Sequence, residues 1–180
     1  MASLTFITGN PAKAEQLARH LNIDVTHTKL DLPEIQSLDP KEIVEQKAKE
    51  AYKHINAPVL VEDTSLTFLA LGKLPGPLIK WFLQELKNEG LCDILLPGMD
   101  RSARASVCFG YYDGTRFEIF EGEMNGTIAS IPRGALGFGW DPIFIPKGYE
   151  KTWGEMTMQE QDETSMRRIA LKKLEVFLKV

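Results

Sequence analysis

The apolar positions of this chain change period along its length, and the changes mark out its elements. Leu4-Thr5-Phe6-Ile7-Thr8 is a short apolar and β-branched run that stops at Gly9-Asn10-Pro11, after which Ala14, Leu17, Ala18 and Leu21 recur at helical spacing. The reading is strand, turn, helix. Pro11 takes the first helical position, where its missing N–H costs nothing, and Asn10 is the expected cap. A second strand is expected over Asp24 to Leu30, then a loop at Asp31-Leu32-Pro33-Glu34-Ile35-Gln36, where Pro33 disfavours helix before it. Asp39-Pro40 restarts a helix by the same cap-then-proline rule, with Ile43, Val44, Ala48, Ala51 and Ile55 as its apolar stripe. Lys47 falls inside that stripe. Pro58 to Val61 is a compact strand that runs straight into Glu62-Asp63-Thr64-Ser65, which places carboxylates at the end of a buried strand.

Gly72-Lys73-Leu74-Pro75-Gly76-Pro77 reads as a rigid turn, Leu78 to Leu86 as a short amphipathic helix carrying Lys80, Trp81 and Phe82, and a further helical stretch reaches about Leu96. From Ala103 the period falls to two, with Ala105, Val107, Phe109 and Tyr111 on the same face, and Asp113-Gly114 is a hairpin turn before Phe117 to Phe120. Asn125-Gly126 reads equally as a second hairpin turn or as a bulge inside a long strand. Gly134 to Asp141 is a glycine-rich loop and Ile143 to Ile145 a short strand. Thr164 or Ser165 then caps a last helix with Ala170, Leu171, Leu174, Phe177 and Leu178 inward. Two groups of strands separated by helices predict a mixed α/β protein with two lobes around a cleft.

Composition bounds the possibilities. The 180 residues are 43% hydrophobic and 26% charged with a net charge of −4, the balance of one globular domain spanning 1–180. That excludes disorder, and no apolar run reaches the roughly 18 residues that cross a membrane. Interspersed charges of slightly acidic sum offer no basic face for nucleic acid. The amino terminus lacks a basic and then apolar leader, so the expected compartment is the cytoplasm. Cys92 and Cys108 are too few for a disulfide framework, and the three histidines form no zinc spacing with them.

Several side chains carry candidate chemistry. Thr8 to Lys13 has the parts of a phosphate cradle, with Gly9 permitting close approach, unpaired helix N–H groups, and Lys13 one turn in; it is not a Walker A loop. Glu34, Glu62 and Asp63 are hard oxygen donors away from histidine, so Mg²⁺ is the natural metal. Lys47 on an apolar face must either snorkel to water or meet an anion. Arg167 heads the inward stripe of the last helix, where the dipole makes a cation unfavourable unless a phosphate or carboxylate is near. Phe138-Gly139-Trp140-Asp141 either stacks on a base and bonds its edge or anchors the core.

Taken in order, these segments resemble the inosine triphosphate pyrophosphatase family, also called Ham1-like. The family's Thr-Gly-Asn-x-x-Lys stands at Thr8 to Lys13, its Asp-Leu-Pro-Glu at Asp31 to Glu34, and its Val-Glu-Asp-Thr at Val61 to Thr64. Leu74 to Phe82 and Phe138 to Pro142 look like the eukaryotic-type branch. The resemblance implies an elongated mixed sheet with flanking helices, two lobes around a nucleotide-binding cleft, and a homodimer. It also implies Mg²⁺-dependent hydrolysis of ITP, XTP and their deoxy forms to monophosphate and pyrophosphate. Carried over by motif, Thr8, Gly9, Asn10 and Lys13 would cradle the triphosphate, with Thr64 beside them and Lys47 and Lys80 adding charge. Glu34 and Asp63 would hold Mg²⁺, with Asp63 and Lys13 as the catalytic pair. Phe138, Gly139, Trp140, Asp141 and Arg167 would hold the base.

One stretch departs from the pattern. The family has Lys before the last helix and Ser-His-Arg at its start, where this chain has Gln161 and Ser165-Met166-Arg167. Gln161 still offers an amide donor and Met166 a soft apolar wall, so altered base specificity is expected. The other reading is a nucleotide-binding protein on the same fold without catalysis.

Overall fold

A computed structural model describes residues 4–22 and 24–179. Seven strands form one mixed sheet of order β2-β1-β3-β5-β6-β7, with β4 paired to β3 outside that path. Two compact units divide the chain: the first takes it to Asp63, with Val107–Gly122 and the stretch from Ile169 on, and the second is Thr64–Ser106 with Glu123–Arg168.

In the first unit, β1 (Leu4–Ile7) feeds helix α1 (Pro11–Leu21) and returns as β2 (Val25–Thr28), parallel to β1 with Leu4 opposite Val25 and Ile7 opposite Thr28. Pro11 opens α1 as expected, and β2 is shorter than the expected 24–30. Helix α2 (Pro40–Ile55) is capped by Asp39, whose carboxylate accepts from Lys41 N at 2.9 Å, and it closes at Asn56 with φ 52°. Its stripe of Val44, Ala48 and Ala51 packs with Val59, Val61 and Cys108 into a core with no exposed members. Strand β3 (Val59–Phe68) lies parallel to β1, with Thr5 opposite Val59.

This strand does not end at the carboxylates. It continues to Phe68 because Ser65, Leu66 and Phe68 are buried and Leu66 and Thr67 pair with β4 (Pro75–Gly76), so Glu62 and Asp63 sit within a strand rather than after it. Strands β5 (Ser102–Tyr112) and β6 (Phe117–Ile128) meet at the expected Asp113-Gly114 turn. There the Asp113 carboxylate accepts from Thr115 N and Arg116 N, and Gly114 has φ 98°. Phe177 of helix α5 (Met166–Leu178) caps this corner, 5.2 Å from the rings of Tyr111 and Phe120.

In the second unit, Asn125-Gly126 lies inside β6, not in a turn. A β-carbon on Gly126 would collide with the Ile145 carbonyl of β7 (Phe144–Pro146) and the Phe144 ring, so the strand needs glycine where its partner crosses closely. Helix α3 (Ile79–Asp93) is interrupted at Lys87 (φ 57°), which reproduces the expected pair of short helices. A further short helix, α4 (Met158–Glu163), was not expected from the apolar pattern. None of its residues is buried, and a reciprocal cap between Thr157 and Glu160 holds it. Ser165 Oγ accepts from Arg168 N at 3.3 Å at the start of α5, choosing between the two expected caps.

Arg101 fixes the β5 end of this unit. Its guanidinium donates to Ile128 O (2.7 Å), Leu95 O (2.9 Å), Cys92 O (3.1 Å) and Ala129 O (2.6 Å), tying the end of α3 to the end of β6. Cys92 and Cys108 are free and buried, and burial pushes their thiols up to about 11 and 12.

Candidate active site

Thr8-Gly9-Asn10 joins β1 to α1, and local hydrogen bonds set its path. Thr8 N donates to Thr28 O at 3.1 Å, fastening the loop to β2, while Thr8 Oγ1 accepts from Asn10 N at 3.1 Å and Asn10 O accepts from Lys13 N at 3.2 Å. No acidic side chain occupies the first turn of α1, which leaves the positive end of that helix uncompensated by its own sequence. Lys13 Nζ lies 2.5 Å from Glu62 Oε1, and the Glu62 side chain is only 9% exposed.

The open question about Lys47 is answered by its partners. Its ammonium, on a side chain 15% exposed, donates to Glu34 Oε1 at 2.9 Å and to Glu62 O at 3.3 Å, and lies 3.7 Å from Asp63 Oδ1. It meets anions rather than snorkelling. Two lysines thus face three carboxylates. Asp63 is strongly perturbed. Burial pushes its carboxyl up to about 6, the Lys47 ammonium pulls it down, and the nearby Glu34 and Glu62 charges push it up again. Its Oδ2 is buried and, among the described residues, meets no hydrogen-bond donor.

That donor set fits a hard divalent cation. Glu34 and Asp63 already converge on one positive group, and the orphaned Asp63 Oδ2 has acceptor capacity to give. No three His, Cys, Asp or Glu side chains gather as one ligand set among the described residues. Two carboxylates completed by water and substrate oxygens are a usual arrangement for Mg²⁺.

The remaining candidates lie in the second unit. Phe138 is 73% exposed, and its N–H donates to Asp141 Oδ2 at 2.5 Å. A β-carbon on Gly137, at φ 86°, would strike the same carboxylate. Burial pushes Asp141 up to about 6, with the Phe138 N–H opposing. Trp140 is a core anchor, its ring 5.9 Å from Phe144 and 5.6 Å from Trp153, whereas most of Phe138 is accessible. Gly139 O accepts from Asn88 Nδ2 at 3.0 Å, pinning the loop to α3.

The Gln161 amide donates to Trp153 O at 2.6 Å and Met156 O at 3.4 Å, so it secures the turn that carries Trp153. Trp153 Nε1 in turn donates to Thr164 Oγ1 at 2.8 Å. Met166 is 7% exposed, Arg167 is half-buried in the first turn of α5, and Lys80 is exposed on α3 with its ammonium 5.1 Å from the Trp81 ring centre. Thr8, Gly9, Asn10, Lys13, Glu34, Lys47 and Asp63 therefore share the first unit, and Thr64, Lys80, Phe138 to Asp141, Gln161, Met166 and Arg167 the second. The sequence reading gave Glu62 no role beyond a possible oxygen donor. Its pairing with Lys13 joins residues 49 apart, and no local pattern announces it. The Trp153 to Thr164 bond was missed for the same reason.

Solved structures similar to this one cover nearly the whole chain. The Ham1 protein of Staphylococcus aureus is 25% identical with a TM-score of 0.87, covering 98% of each chain. A HAM1 protein of Coxiella burnetii is 26% identical with a TM-score of 0.88, covering 99% of each. A nucleoside-triphosphatase / dITP/XTP pyrophosphatase of Mycobacterium abscessus is 30% identical with a TM-score of 0.76, covering 96% of this chain and 98% of its own. The sequence profile of the Ham1 family matches residues 4–177, and the chain belongs to the Ham1 family.

Proposed function

We propose that this protein hydrolyses non-standard purine nucleoside triphosphates, ITP, dITP and XTP, to the monophosphate and pyrophosphate, and so clears them from the nucleotide pool. The observation that carries the reading is the Lys13, Lys47, Glu34, Glu62 and Asp63 cluster beside the Thr8 to Asn10 loop, in which the buried Asp63 Oδ2 meets no donor among the described residues. Family membership and the dITP/XTP pyrophosphatase of Mycobacterium abscessus support the substrate class.

The loop backbone and Lys13 bind the triphosphate, and Lys47 adds a second cation. Asp63 accepts the proton of a water whose oxygen bonds to the α-phosphorus as the bond to the bridging oxygen breaks and pyrophosphate leaves. Glu34 and Asp63 would hold Mg²⁺, which would supply neutralisation of charge building on the phosphates. Phe138, an exposed ring, takes the base, together with Gly139, Trp140, Asp141, Gln161, Met166 and Arg167, and Thr64 and Lys80 add polar groups to substrate binding. The protein acts as one domain, a homodimer, in the cytoplasm; two buried free thiols suit a reducing compartment.

The test is pyrophosphate release with Mg²⁺ over ITP, dITP, XTP, GTP, ATP and pyrimidine triphosphates, for wild type and Asp63→Asn. Wild type is expected to release pyrophosphate and the monophosphate, preferring ITP, dITP and XTP over GTP, ATP and the pyrimidine triphosphates, and Asp63→Asn to lose turnover at least 100-fold, on the order of a general base's contribution, with the fold retained. Nucleotide-dependent thermal stabilisation without any pyrophosphate would instead establish the non-catalytic binding protein.

A further inference from the structure

We propose that Lys29 is an additional phosphate ligand of this site, a residue that no motif marks; the inference rests on the triphosphate reading above. The register places it there. Ile7 pairs with Thr28, and Thr8 N donates to Thr28 O, so the residue after β2 emerges beside the residue after Thr8. The Lys29 stem lies along Gly9: a β-carbon at position 9 would sit 3.2 Å from Lys29 Cδ, 3.3 Å from Cγ and 3.6 Å from Cε. Gly9 is not at a positive φ, so the backbone does not demand glycine there. The closeness of the lysine stem is what a side chain would disturb.

Charge gives this packing a purpose. Lys13 is committed to Glu62, and Lys47 to Glu34 and Asp63. Lys29 is exposed, and among the described residues its ammonium has no carboxylate partner. A triphosphate carries about four negative charges at neutral pH, since the secondary ionisation of a phosphate lies near 6. That charge exceeds the two of one divalent ion, and Lys13 and Lys47 are already engaged by carboxylates. Lys29 is the uncommitted cation of the first unit whose stem already lies on the phosphate loop.

The experiment compares Lys29→Met, which keeps the stem over Gly9 and deletes the charge, with Lys29→Arg, which keeps the charge. Steady-state kinetics are run on the best triphosphate of the wild-type enzyme at low and high KCl, with tripolyphosphate and the free nucleoside as competing inhibitors. For Lys29→Met the expected result is a KM raised about ten-fold with kcat within about two-fold, the size of one charge-assisted contact. Weaker inhibition by tripolyphosphate, unchanged inhibition by the nucleoside, and an unchanged Tm should accompany it. The KM difference should shrink as salt rises, and Lys29→Arg should recover most of the affinity. A wild-type KM in Lys29→Met, a loss that Lys29→Arg does not recover, or an equal loss of nucleoside binding would overturn the assignment while leaving the enzyme reading intact. A wild type that neither hydrolyses nor binds any nucleotide would overturn both.

Discussion

Asp141 carries a charge that its surroundings disfavour, and Asp141→Asn should reveal this as a pH-dependent gain in stability. Burial raises its carboxyl from the ordinary 3.8 to about 6, and the opposing Phe138 N–H does not cancel the effect. The folded state therefore holds a proton that the unfolded chain gives up near pH 4. Stability from the protonated form is fully present below the unfolded value and is lost as pH rises through about 6. One pKa unit is about 1.4 kcal/mol, so a shift of roughly two units costs up to about 3 kcal/mol once Asp141 is ionised. Most of that falls before pH 6.5, and between pH 5 and 8 the loss grows by about 1.4 kcal/mol, worth roughly 3–6 °C for a chain of this size. Asparagine keeps an oxygen that can accept from Phe138 N, so it removes the charge without removing the bond. The assay is thermal unfolding of wild type and Asp141→Asn from pH 5 to 8 without nucleotide or metal. Asp141→Asn should melt higher, and its advantage should widen towards pH 8. A difference that is flat with pH, or that narrows, would refute the claim that a buried charge is being carried there.

Two further outcomes follow from the geometry. Arg101→Met strands four carbonyls that one guanidinium now satisfies and should cost about 3–5 kcal/mol, read as a fall in the denaturant midpoint. A change under about 1 kcal/mol would mean that water replaces the arginine freely. The paired change Gln161→Lys and Met166→His restores the donors that the family carries, and should raise kcat/KM for ITP relative to GTP by about ten-fold or more. An unaltered ratio would place base selection on other residues.

What was legible in the sequence was legible for local reasons. Pro11 and Asp39-Pro40 announced two helix starts, and Asp113-Gly114 a hairpin, because caps, prolines and turn glycines act within a few residues. The extent of β3 was not, since Glu62 and Asp63 break the apolar run and only pairing with β4 and burial of Leu66 and Phe68 carry the strand past them. Asn125-Gly126 fits a turn or a strand equally until the Ile145 carbonyl is seen to occupy the space of a side chain. Helix α4 has no buried stripe to find, although Thr157 and Glu160 stand at capping-box spacing in the sequence. In the candidate site, the residue types and the loop were readable, while the pairings were not. Lys13 with Glu62 and Lys47 with Glu34 span 49 and 13 residues, and only the fold decides such partners.

Lys47 shows why an apparent misfit in a pattern carries information. An ammonium among Val44, Ala48 and Ala51 would be costly if it served packing alone, because an aliphatic side chain would fill that stripe better. Its position makes sense from the carboxylate side. Asp63 is buried beside two other acidic groups, and each of these conditions drives its carboxyl towards the neutral form, in which it cannot accept a proton. The Lys47 charge, 3.7 Å away, opposes both and also holds Glu34 and the Glu62 carbonyl, so the same side chain keeps Asp63 ionisable and fixes its neighbours. The strand supplies a carboxylate that burial drives towards its neutral form, and the helix supplies the cation that opposes this. An apolar replacement at position 47 would improve the stripe but remove the charge that favours ionised Asp63, so this lysine is explained by the carboxylates it meets and not by the packing of its helix.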